Sequence, residues 1–272
     1  MFNKQYNNII DKLCVRLLHI KKKNRKVFIV LSGAQGSGKT TLTRNLKYKL
    51  AKNYKVLSLS IDDFYLSKRD REILSSSSSQ LFKTRGVPGT HNIKNLEKVL
   101  KIFKSGKNRA FSIPIFSKAK DDIEKRRKNL LKFPYDFFLL EGWCNGYRGE
   151  INKNLNKPIN LLEKRFDKSR IWRKNVNIFS KIYYLKIYKK ADFSIFLKVP
   201  SFNKVFYWRK KQEMQIPKKY RMSPRKIKEF ICFYERITKN LLFNFKKYFD
   251  CYITIDKFHN YKSLTYKNAK KS

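Results

Sequence analysis

The stretch Val27-Phe28-Ile29-Val30-Leu31-Ser32-Gly33-Ala34-Gln35-Gly36-Ser37-Gly38-Lys39-Thr40 decides the fold. Its first five residues are an unbroken apolar run, which predicts a strand buried on both faces of a parallel sheet. Residues 33–40 follow at once as G-A-Q-G-S-G-K-T, a complete G-x-x-x-x-G-K-[ST] pattern, and a helical segment begins there. Strand, loop and helix in that order are the context in which this pattern holds phosphate. Gly33, Gly36 and Gly38 let main-chain N–H groups turn inward, so the loop forms an anion nest at a helix N-terminus. Ala34, Gln35, Ser37 and Thr41 complete the expected nucleotide-binding stretch. Lys39 is placed to reach β- and γ-phosphates, and Thr40 to offer a hydroxyl to Mg²⁺.

Four more strands are expected outward from this segment, at Val56 to Ile61, Phe137 to Leu140, Phe193 to Val199 and Tyr252 to Ile255. Helices are expected at 3–20, 40–52, 93–104, 121–131, 160–190, 202–214 and about 224–248. Strands alternating with helices predict a three-layer α/β domain with a mostly parallel, five-stranded sheet. The run Ser75 to Ser79 reads as a mobile loop. No repeat and no linker is visible, so residues 1–272 are expected to form one domain.

Composition supports a core and narrows the classes. The chain has 272 residues, 42% of them hydrophobic and 15% aromatic, with only 9 Gly and 7 Pro. Wholesale disorder does not fit those figures. The apolar runs fall far short of the roughly 20 residues that a helical bilayer crossing needs. The N-terminal M-F-N-K-Q-Y-N-N has no apolar secretory core, and the expectation is a cytoplasmic protein. Cys14, Cys144, Cys232 and Cys251 are too scattered for a metal knuckle or a CxxC pair and read as four reduced thiols. Lys and Arg number 65 against 20 Asp and Glu, a formal charge of +45. Such a balance raises nucleic-acid binding. Here the excess is spread along the chain with abundant Asn, Ile, Phe and Tyr, as drift toward A/T-rich codons would also produce. No specific nucleic-acid partner is expected; attraction for small anions is.

Two acids stand at strand ends, where a parallel sheet opens its ligand crevice. Asp62 or Asp63, in S-I-D-D-F-Y-L (60–66), would emerge beside the γ-phosphate and could take a proton from an attacking hydroxyl. A turn-capping role is the competing assignment. In an extended strand end Asp62 and Phe64 would share one side, with Asp63 and Tyr65 opposite. Glu141, in L-L-E-G-W (139–143), falls where an acid holds Mg²⁺ or its water, and Trp143 reads as packing.

These motifs recur in order with R-G-V-P-G-T-H-N (85–92) and I-P-I-F-S-K-A-K-D-D (113–122). Together they resemble the P-loop small-molecule kinases of the D-glycerate 3-kinase type, a group similar to uridine kinase, phosphoribulokinase and bacterial pantothenate kinase. L-E (162–163), W-R-K-N-V-N (172–177) and F-N-K-V-F-Y-W-R-K-K-Q-E (202–213) extend the resemblance, which runs from about Phe28 to Asp256. It implies an ATP- and Mg²⁺-dependent kinase acting on a small, anionic hydroxyl acceptor, as a monomer or a homodimer. D-glycerate leads, with sugar acids or nucleosides next; an RNA-associated NTPase and a degenerate regulatory protein are the rivals. It implies that Asp62 is the general base, acting with Lys39 and with Arg209 as a lid arginine. Tyr65, Arg85, His91, Asn92 and Lys118 would line the acceptor pocket, and Thr40 with Glu141 would serve the metal. A helical insertion and lid would occupy about 150–220.

Taken on their own, Arg209 reads equally as a solvated basic face, Lys118 as a surface lysine, and His91 as the cap of the helix starting near Ile93. Two departures fall on the acceptor side: Asn92 stands where the group has Asp, and Phe116-Ser117-Lys118 where it has F-D-K.

Overall fold

The computed structural model describes residues 4–214, 218 and 221–267. A helix, α1 (Lys4–Lys23), leads into β1 (Val27–Gly33), every residue of which is buried. The phosphate loop then opens α2 (Lys39–Leu50), and the chain returns through β2 (Val56–Ser60). Next come α3 (Lys68–Ser77), α4 (Ile93–Ser105) and an antiparallel hairpin of β3 (Ala110–Ser117) and β4 (Asp122–Lys132). The strand β5 (Phe137–Gly142) re-enters the sheet. Helices α5 (Leu161–Phe166), α6 (Ile171–Phe179) and α7 (Leu185–Tyr188) follow, a π-turn at Ser180–Tyr184 joining the last two. The chain closes with β6 (Phe193–Lys198), α8 (Phe202–Glu213), α9 (Pro224–Tyr248), β7 (Cys251–Ile255) and β8 (Tyr261–Tyr266).

The main sheet runs β2-β5-β1-β6-β7-β8. The first five are parallel; β8 adds on antiparallel to β7. The register Leu31↔Glu141 and Ser60↔Glu141 brings the carboxyl ends of β1, β5 and β2 to one edge. Alternation along β1 divides the core into the expected layers. Phe28 and Val30 face one apolar cluster with Phe138, Leu140 and residues of α4 and α9. Val27, Ile29 and Leu31 face the other with α1 and α2. Fully burying one such side chain contributes about 1.5–3 kcal/mol, which is why both faces of the central strands must be apolar.

Four expectations are corrected. The sheet has six strands among the described residues, not five, because β8 pairs outside the parallel set. The segment expected as a helix at 121–131 instead forms β4 (Asp122–Lys132), after a turn at Asp121. Their Lys, Arg and Glu favour helix intrinsically, but pairing from Ala110↔Lys132 to Ser117↔Asp122 overrides that weak preference. The serine run is ordered by side-chain caps. Ser75–Ser77 finish α3, Ser79 Oγ accepts the Leu81 N–H, and Asn175 Nδ2 on α6 donates to Ser78 Oγ at 2.6 Å. The expected helix at 160–190 is broken into α5, α6, the π-turn and α7. Of the proposed lid segment, residues 215–217, 219 and 220 lie outside the described residues, as does Asn3 of the first helix.

Among the described residues no helix is long and apolar enough to cross a membrane, and all four cysteines are free.

Candidate active site

The phosphate side is made of main chain. Gly36 and Gly38 have φ of 74° and 89°, left-handed values that let successive N–H groups converge. Gly36 also admits α8: a Cβ there would lie 3.0 Å from the Trp208 Cβ. Lys39 Nζ donates to Ala34 O at 3.0 Å across the loop. Its pKa is lowered, burial outweighing the pull of Glu141 and Asp62. Thr40 Oγ1 donates to Glu141 Oε1 at 2.7 Å, joining the start of α2 to the end of β5. Glu141 is buried, and Trp143 packs as expected, its Nε1 donating to Gly86 O.

The opposite wall is made of side chains. After β2 the chain does not continue extended but coils into a 3₁₀ turn, Ile61–Phe64, capped by Ser60. Asp63 turns back to accept the Ser60 N–H at 2.7 Å, so the capping role falls to Asp63. Burial raises the Asp63 pKa, with the Ser60 N–H opposing. Asp62 lies within electrostatic reach of Lys39 in the phosphate loop. Tyr65 Oη donates to its Oδ1 at 2.9 Å, and Lys118 Nζ to its Oδ2 at 2.9 Å. Burial alone would raise the Asp62 pKa, but the Lys118 ammonium outweighs it, and the carboxyl sits below its usual range. The expected alternation therefore fails: Tyr65 comes to the same side as Asp62, because the coil replaces an extended strand end.

Tyr65 is fixed from two sides. Its ring stacks on His91 at 4.8 Å and meets the Phe116 edge at 5.0 Å. The Arg85 guanidinium carbon lies 5.4 Å from the Phe116 ring centre, its Nη1 pairs with Asp121, and its Nη2 reaches Lys118 O at 3.5 Å. Arg71, fully buried, holds the other oxygen of Asp121. His91 Nδ1 meets Tyr184 Oη at 2.7 Å, while its Nε2 is buried without a partner among the described residues. Burial drives the His91 pKa down to about 4, so the ring is neutral at neutral pH.

Tyr65, Asp62, Lys118, Arg85 and His91 are thus brought together. Asn92 is engaged elsewhere. Its Oδ1 caps α4 by accepting the Asn95 N–H at 3.0 Å, the capping role considered for His91. Ser117 caps the hairpin tip, accepting the Lys120 N–H at 3.3 Å. Arg209 lies on α8 beside the phosphate loop, but its guanidinium pairs with Glu213 at 2.8 Å along its own helix. Three contributors carried no sequence signal. Tyr184 comes from the π-turn, Tyr234 from α9 bonds Arg85 O at 3.2 Å, and His259 Nε2 donates to Gly36 O at 2.7 Å. The His259 ring lies 3.8 Å from that of Trp208, so β8's leading turn and α8 clasp the phosphate loop together.

A glycine-built anion nest on a central parallel strand, facing a carboxylate at the end of a neighbouring one, defines a P-loop phosphoryl-transfer fold. Comparison with known proteins agrees. The KAP family P-loop domain matches residues 2–138. The Uncharacterized kinase mug58 of Schizosaccharomyces pombe is 30% identical over 243 residues, covering 83% of this chain and 85% of that protein. In three dimensions the chain is similar to D-glycerate 3-kinase from Cryptococcus neoformans, with a TM-score of 0.78, 21% identity, and coverage of 95% of this chain and 99% of that one. The chain belongs to the P-loop kinase family.

Proposed function

We propose that the protein transfers the γ-phosphoryl group of ATP to a hydroxyl of a small anionic acceptor, with D-glycerate, giving 3-phosphoglycerate, as the first candidate. The observation that carries this proposal is Asp62, a carboxylate held at the cleft between Tyr65 and Lys118 and electrostatically coupled to Lys39 of the phosphate loop. In this scheme the acceptor hydroxyl gives its proton to Asp62. Its oxygen bonds to the γ-phosphorus as the bond to the ADP oxygen breaks. Lys39 and the loop N–H groups hold the transferring charge in place, and Arg209 would join them by exchanging Glu213 for phosphate. Lys118 and Arg85 supply the cationic side that an acidic acceptor needs.

Thr40 and Glu141 would hold Mg²⁺. Their hydroxyl–carboxylate pair suits an ion bound by few protein groups, and no cluster of three or more His, Cys, Asp or Glu suited to a metal occurs among the described residues. When bound, that ion would neutralise charge on the phosphates. The resemblance of the motifs to glycerate kinases and the fold shared with the Cryptococcus enzyme support D-glycerate. A nucleoside or sugar acid is the next reading. The free thiols fit a reducing, cytoplasmic setting.

ADP release from Mg-ATP, measured over hydroxy acids, sugars, nucleosides and RNA, tests the proposal. D-glycerate should give the highest kcat/KM, and RNA should bind weakly, without sequence preference and with steep salt dependence. Turnover confined to nucleosides would replace the acceptor. RNA-dependent hydrolysis at physiological salt would replace the class.

A further inference from the structure

Both oxygens of Asp62 are engaged, by donors of opposite character. Tyr65 is buried and wedged between His91 and Phe116, so its bond to Oδ1 is a fixture. Lys118 sits at the β3–β4 tip with its side chain 65% exposed. Its main chain is held in place through Arg85, which Asp121 anchors in turn. The ammonium can therefore leave while the hairpin stays put. With the ammonium end this exposed, another carboxylate can approach it from solvent and take the place of Asp62 as its partner. An oxygen bearing an ammonium at 2.9 Å is also a poor proton acceptor.

We propose that Lys118 is a charge-reading gate: an anionic group on the acceptor draws its ammonium off Asp62, and this exchange frees the base. The inference rests on the assignment of Asp62 as the base. With Lys118 paired to the acceptor's carboxylate or phosphate, Asp62 Oδ2 is open to the acceptor hydroxyl and takes its proton. The alkoxide oxygen bonds to the γ-phosphorus, and the bond to the ADP oxygen breaks with its electron pair. A neutral alcohol of the same shape cannot release the gate, so it is disfavoured in kcat as well as in KM. Recognition of charge and activation of the base become one event.

The other groups facing Asp62 do not substitute for Lys118. Lys39 is bonded to Ala34 O, His91 is neutral, Tyr65 stays in place, and Asp63, Cys144 and Tyr234 carry no positive charge.

The test uses the full chain with Mg-ATP and two probes of one shape, D-glycerate and its neutral amide, with ADP release followed across the acid range. Lys118→Met should lower the glycerate-to-amide ratio of kcat/KM by about 10–100-fold, the effect of losing one hydrogen bond to a charged group. It should also move the acid limb to higher pH, because burial then dominates the Asp62 carboxyl. Lys118→Arg should keep most of the preference. Basal ATP hydrolysis reads the gate without any acceptor: Lys118→Met should raise it several-fold, and adding Asp62→Asn should cancel the rise. An unchanged ratio with unchanged hydrolysis, or an equal loss toward both probes at a fixed acid limb, overturns the gate. If hydrolysis rises in Lys118→Met and stays high after Asp62→Asn, the base assignment has failed, and the gate with it.

Discussion

The two walls of the cleft are built from different materials. The phosphate wall is one continuous stretch, Gly33 to Thr40, presenting main-chain groups whose positions follow from backbone angles at Gly36 and Gly38. The proposed acceptor wall gathers side chains from four separate segments: Asp62 and Tyr65 after β2, Arg85 and His91 before α4, Lys118 on the hairpin, and Tyr184 from the π-turn. A main-chain site tolerates variation around it, because every residue except proline supplies an N–H. A side-chain site changes with every charge exchanged, so one fold can keep its nucleotide and vary its acceptor.

Mutation can separate the walls. On the acceptor wall, Asp62→Asn should lower turnover by about 10²–10⁴-fold while nucleotide affinity stays nearly intact. Lys39→Ala should lose both affinity and turnover in a folded protein, and Asp63→Asn should do little, since Asn can still accept the Ser60 N–H. Nucleotide titration beside saturating-acceptor kinetics decides it. Unimpaired affinity in Lys39→Ala, or a large loss at Asp63 with none at Asp62, would break the contrast.

The second expectation concerns the buried imidazole. His91 has its pKa lowered from 6.5 to about 4, so the unfolded chain binds a proton that the folded chain refuses within that window. Its contribution is present above about pH 6.5 and is lost as pH falls toward 4, by up to about 3 kcal/mol. Urea midpoints should fall over that window in the wild type, and His91→Phe should flatten the fall. An equal slope in both would assign the acid sensitivity elsewhere.

The smallest effect belongs to Asn92. Asn and Asp cap helices about equally, so Asn92→Asp should leave stability and turnover unchanged, while Asn92→Ala should cost about 1 kcal/mol with turnover preserved. A tenfold gain in turnover in Asn92→Asp would show that this position acts in the chemistry as well as in the cap.

How legible each part was follows from the same contrast. The central strands β1 and β5 could be read because burial on both faces leaves continuous apolar runs, as in Val27 to Leu31, and the outer parallel strands β2 and β7 because their apolar residues alternate. The phosphate loop could be read because its residues are consecutive. β4 could not: Arg126, Arg127 and Lys128 are exposed, and only their pairing with β3 makes them a strand. Nor could the coil at Ile61–Phe64, which is set by reciprocal bonds between Ser60 and Asp63 and reverses the side on which Tyr65 emerges. The His259 clasp on Gly36 joins residues 223 positions apart and leaves no local trace.

The packing of α1 against β8 has a consequence for how the molecule is made. Tyr6 and Tyr261 have ring centres 4.7 Å apart, and Tyr266 Oη bonds Lys12 O across 254 residues. At about 5–20 residues per second, a ribosome needs roughly 13–50 s to supply that partner after α1 has emerged. Throughout that interval the face of α1 destined for β8 has nothing to close against. Helix α1 is therefore among the last pieces to reach its final contacts, and a nascent chain stalled before β8 leaves the Tyr6 ring without its partner, open to chaperones.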